Sequence, residues 1–115
     1  MKEKSDSFIV QCRINYFLGI RPANQQSKET EGYKELVRIA KNYFDSDSYE
    51  DFAENFMEGQ YFIPLWAAHL LLEYGKTDEK LKEECLRIIS DYSRHQLFSE
   101  VAAEEKVWLE NYYKA

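Results

Sequence analysis

Apolar positions recur along most of this chain at the three-and-four spacing of helices that bury one face. Tyr33, Leu36, Val37, Ala40, Tyr43 and Phe44 form such a stripe, predicting a helix from Thr30 to near Asp45. The next stretch, "DSDSYEDFAENFMEG", offers Asp47 or Ser48 as an N-cap and Glu50 or Asp51 to complete a capping box. Its expected buried stripe is Tyr49, Phe52, Ala53, Phe56 and Met57, and Gly59 is the natural stop.

The segment Gln60 to Lys76, "QYFIPLWAAHLLLEYGK", is the most apolar part of the chain. Pro64 suits the first turn of a helix, where its missing N–H costs nothing, and Gly75 marks the end. Between them lie good helix formers rather than β-branched residues, so a helix over Phe62 to Tyr74 is expected. The apolar run is shorter than the roughly 20 residues that cross a bilayer, which argues against a membrane span.

Thr77 and Asp78 cap a further helix with Leu81, Cys85, Ile88 and Tyr92 inward, and Ser99 caps a last one. That last helix is expected to turn Val101, Ala102, Trp108, Leu109, Tyr112 and Tyr113 inward. The first segment is ambiguous, because Val10, Cys12, Ile14 and Tyr16 alternate with Gln11, Arg13 and Asn15 as in a strand. No other run offers a partner strand, so it is read as helix. "GIRPANQQSK", Gly19 to Lys28, reads as a polar loop, the longest break and the segment expected to move most. The result is one all-α domain over residues 1–115, with about six helices stacked as hairpins in a short solenoid or irregular bundle.

With 31% charged and 44% hydrophobic residues, the composition is that of a globular protein. The net charge of −6 disfavours nucleic acid, which needs a basic footprint, and suits a basic protein partner. Cys12 and Cys85 have no paired spacing and sit among apolar helix positions, as free thiols in a reducing cytoplasm would. Gln11, Arg13 and Asn15 interrupt the apolar run near the N-terminus, so no export signal is expected.

"AAHLLLEYG", Ala67 to Gly75, preceded by Ile63, resembles the first helix of a HEAT-type repeat, and "DEKLKEECLRIISDY" resembles the second. "SEVAAEEKVWL" reads as a partial second copy, with Val101 and Leu109 in the places of Ile63 and Leu71. Glu105 and Lys106 then stand where the family has alanines, and Pro64 replaces its usual arginine. A different register aligns "ELVRIAKNY", Glu35 to Tyr43, with "ECLRIISDY", Glu84 to Tyr92. The resemblance implies a right-handed stack of helix hairpins, a scaffold that typically binds other proteins.

Candidate chemistry is sparse. Phe62, Trp66, His69 and Glu73 share one stripe of the apolar helix, where Glu73 would orient the His69 imidazole beside a flat Trp66 wall. The competing reading makes this stripe the less buried side, with Trp66 packed under a neighbour and the His69/Glu73 pair solvated. Glu105 falls within the apolar arc of Val101, Trp108, Leu109 and Tyr112, where it either reaches a wet rim or lines a pocket with Trp108 and Tyr112. Glu83, Glu84, Glu104 and Glu110 read as a solvated face. Two histidines and two unlinked cysteines supply no metal or nucleophile spacing, so no catalysis, metal or cofactor is expected.

These features predict a non-catalytic protein-interaction module that buries Phe62, Trp66, His69, Glu73, Glu105, Trp108 and Tyr112 against a partner. A narrower version is an immunity-type inhibitor that masks a basic toxin or nuclease. The rival is a small-molecule-binding helical domain with an aromatic pocket near His69 and Glu73.

Overall fold

Left-handed residues at two helix ends shape the first half of the molecule, seen in a computed structural model that describes residues 5–114. Helix α1 runs Ser5–Leu18 and ends in a Schellman motif. Gly19 takes φ 75° while the Ile20 and Gly19 amides donate back to the Asn15 and Tyr16 carbonyls. Helix α2, Glu31–Asp45, starts on a Thr30 side-chain cap and ends the same way, with Asp47 at φ 54° and the Ser48 amide donating to Tyr43 O. Asp47 therefore closes α2 and is not the N-cap of the next helix. Ser48 stands at the N-cap of α3, Tyr49–Ala53, but its side chain makes no cap bond.

After one turn α3 tightens into a 3-10 segment, Glu54–Met57, which buries Asn55 and leaves Met57 87% exposed rather than inward. The Asn55 side chain donates to the Phe52 carbonyl, competing with continuation of the helix. Glu58 forms the C-cap of this segment, which puts Gly59 at C′, the stop position expected of it, though without a left-handed φ.

Helix α4, Ile63–Tyr74, begins with Pro64 in its first turn and is buried on every side from Ile63 to Leu71, as an all-apolar helix must be. It packs against α1, α2, the 3-10 segment before it and α5, Glu79–Ser93, which starts on an Asp78 cap. Helix α6, Ser99–Lys114, packs chiefly on α5 and leaves Tyr113 68% exposed, contrary to its expected inward place.

The strand-like period of the first segment arises because α1 is apolar on two sides. Phe8, Cys12 and Asn15 turn inward at helical spacing, while Val10, Ile14, Phe17 and Leu18 remain exposed. The α1–α2 contact closes on Gly32, where a Cβ would collide with the buried Asn15 side chain. Asn15 in turn donates to the Gly32 carbonyl at 3.1 Å.

The architecture is all-α, with six α-helices and no strand among the described residues. Its radius of gyration, 13.2 Å, matches a compact domain of about this size. No helix among the described residues is long and apolar enough to cross a membrane. Residues 1–4, which bear on the expectation of no export signal, lie outside the described residues.

Candidate functional site

Two consecutive glutamates on α6 hold it to the rest of the fold. Glu105 faces inward and places Oε1 2.6 Å from His69 Nε2 on α4, with the two side chains only 1% and 2% exposed. The Trp108 ring stands edge-on to the imidazole at 4.6 Å. His69 Nδ1 and Trp66 Nε1 find no hydrogen-bond partner among the described residues. A buried carboxylate is tolerable only with such a partner, so the pair explains why an acid sits in the apolar arc of α6.

Glu104, next along the helix, turns the other way. It accepts two hydrogen bonds from Arg21, each 2.8 Å long, and a third from the Asn24 side chain. Partial burial alone pushes the Glu104 carboxyl up, but the bonds from Arg21 and Asn24 outweigh it and leave the pKa below the ordinary carboxylate value. Arg21 is raised in return, chiefly by its hydrogen bond to Glu104.

The segment expected to be a plain polar loop is thus tied to α6. It also contains a 3-10 turn, Gln25–Glu29, capped by the Asn24 side chain and burying Ser27. Glu104, expected on a solvated face, is its anchor.

The sequence-predicted residues divide by depth. Trp66 is 0% exposed and meets Tyr33 edge-on at 5.5 Å, so it supplies no surface wall. His69 engages Glu105 instead of Glu73, which lies exposed at the far end of α4. Burial above all, then the nearby Glu73 carboxylate, push the Tyr33 phenol well above its ordinary value, which places Glu73 beside Tyr33.

Trp108 and Tyr112 are half-buried and stack at 5.1 Å, and Trp108 lines a cavity of about 350 Å³ with Asn24, Glu104 and Asn111. The fold therefore unites His69, Glu105, Trp108 and Tyr112, while Phe62 and Glu73 sit at opposite ends of α4. Neither member of the His69/Glu105 pair is open to a substrate.

Phe62, itself only 8% exposed, belongs to a different cluster, an aromatic group that reaches the surface at Phe17. Its ring lies 5.2 Å from Tyr16, 6.1 Å from Tyr92 and 5.0 Å from Phe98. Tyr61 joins Tyr16 at 5.5 Å to Phe17 at 6.0 Å, and His95 meets Phe98 at 4.9 Å. The end of α1, the turn before α4 and the α5–α6 turn thus present one aromatic surface.

At its edge Phe17, Leu18 and Leu97 are 70%, 67% and 84% exposed. A cavity of about 350 Å³ opens on one side of the Tyr16, Phe62 and Phe98 rings, and one of about 300 Å³ on the other.

Of this face, sequence reasoning singled out only Phe62. The available signal was the aromatic pair at each element boundary, Tyr16-Phe17 and Tyr61-Phe62. On α1 neighbours point about 100° apart, so Phe17 leaves the core that Tyr16 packs against, while Tyr61 and Phe62, in the turn before α4, both pack on it. Comparison with protein-family models, with curated proteins and with solved structures finds no match.

Proposed function

We propose that this chain is a non-catalytic protein-interaction module that docks its partner on the aromatic face between the α1 end and the α5–α6 turn. The observation that carries this reading is the exposure of Phe17, Leu18 and Leu97 beside a continuous run of aromatic rings. A contiguous apolar patch costs solubility and is a mark of binding surfaces. Half-buried tyrosines give such a surface large contact area at low entropic cost. The net charge of −6 favours a basic partner, in keeping with an inhibitor-type role, and the HEAT-like hairpin pattern of Ile63 to Tyr92 suits a binding scaffold.

Within the predicted set, Trp108 and Tyr112 retain access to a partner, whereas Phe62, Trp66, His69 and Glu105 act by holding the scaffold. The test is photo-crosslinking from position 18 in a native lysate, with and without the further substitutions Phe17→Ser and Leu97→Ser. The wild type is expected to capture one partner that the folded double variant loses. Equal capture by the variant overturns the reading.

A further inference from the structure

The cavity between the Gly59–Phe62 turn and the α5–α6 turn has an unusual wall. Six rings line it, from Tyr16, Tyr61, Phe62, Tyr92, His95 and Phe98. Three pairs are steeply inclined, Tyr16 to Tyr61 at 69°, Phe62 to Tyr92 at 82° and Phe62 to Phe98 at 87°, while Tyr16 to Phe62 and His95 to Phe98 are tilted at 55° and 46° and Tyr92 stacks on His95 at 24°. Rings at this spread of angles present faces and edges in several directions, forming a box with one stacked pair in its wall. Each ring face carries the negative part of its quadrupole, so cations are attracted to it.

Nothing else in the lining competes for that role. The remaining residues are Gly59 and Gln60, with no aliphatic side chain, lysine, arginine or carboxylate. The adjoining cavity differs, since Arg21, Glu100, Leu97 and Val101 contribute to it. His95 is turned by its own loop, its Nδ1 accepting the Leu97 amide at 3.2 Å. The volume of about 350 Å³ falls at the small end of ligand sites.

The backbone that shapes one wall is itself costly. Tyr61 and Phe62 stand at φ 55° and 57°, two successive bulky residues in the left-handed region. Strain of this kind survives where the surroundings over-determine it, and it gathers at ligand clamps. Here it turns both rings into the cluster at the start of α4.

We propose that this aromatic box binds a methylated ammonium group. An unmethylated ammonium is strongly hydrated and needs acceptors in place of its water. A methylated one gives up little hydration and matches aromatic walls, and the acidic chain draws it in. The inference rests on the proposed docking face only for its location, because the cation comes either from a methylated lysine of the partner or from a small quaternary amine.

The experiment is a titration of the full chain with choline, and with its neutral isostere carrying carbon in place of nitrogen, followed through the aromatic NMR resonances. Choline is expected to shift the Tyr16, Tyr61, Tyr92 and Phe98 rings and to bind at least about tenfold more tightly than the isostere. Equal binding of the two, or no shift with either, overturns the proposal, and neither result depends on a variant folding.

Tyr92→Leu with an unchanged melting curve is expected to lose at least about tenfold in choline affinity; unchanged affinity also counts against the box. Tighter binding of a trimethyllysine peptide than of choline assigns the cation to a partner chain, and the reverse assigns it to a free amine. Equal crosslinking by the wild type and the Phe17→Ser, Leu97→Ser variant, with choline binding intact, would remove the docking face alone.

Discussion

His69 on α4 and Glu105 on α6 meet at 2.6 Å in a site closed to water. They join a helix that is buried on all sides to one that packs chiefly on α5. Removing one member of a buried pair strands the other, at a cost of about 3 to 5 kcal/mol. Replacing both with similar apolar volume removes the stranded group as well.

The single variants Glu105→Leu and His69→Leu are therefore each expected to be strongly destabilised in urea unfolding. The double variant should be more stable than the sum of the singles predicts, by about 1 to 3 kcal/mol. Additive losses would show that the two side chains do not depend on each other.

Glu104 sets the acid limb of stability. Its carboxyl titrates below the ordinary value in the folded chain, so the native state favours the ionised form. The contribution is complete above the unfolded carboxylate value, about 4.3, and is lost as pH falls through the lower folded value. Arg21 and Glu104 are 22% and 21% exposed, which limits screening by solvent. Glu104→Gln is expected to cost about 1 to 3 kcal/mol at neutral pH and to flatten the melting-temperature profile below about pH 5. A variant profile parallel to the wild type in acid would assign that limb to other carboxylates.

Gly32→Ala tests the close approach of α1 and α2. Helix propensity alone would make this change stabilising, by about 1 kcal/mol. The added methyl meets the Asn15 side chain, which is fully buried and bonded to the Gly32 carbonyl and to Gln11. Overpacking of this sort costs about 1 to 3 kcal/mol, so a net loss in thermal stability is expected. A gain would mean that Asn15 swings away freely.

The helices were largely legible in the chain because local chemistry fixes them. Asp78 caps α5 as expected, Pro64 opens α4, and the three-and-four stripes of α2 and α5 face the core. Local chemistry misled where two signals overlapped. Asp47 looks like an N-cap but ends α2, and α1 mimics a strand because its apolar residues serve both the core and the surface.

Side-chain partnership was beyond the sequence. His69 has an acid one helical turn away in Glu73, yet it bonds Glu105 from a distant helix. Glu104 looks solvated until the Arg21 segment folds onto it. Spacing along a helix orders neighbours on one face, but only packing decides which face is closed to water and therefore which charge must find a partner across it. The same packing brings Tyr16, Phe62 and Phe98 together from three elements, so the aromatic face exists only in the folded chain.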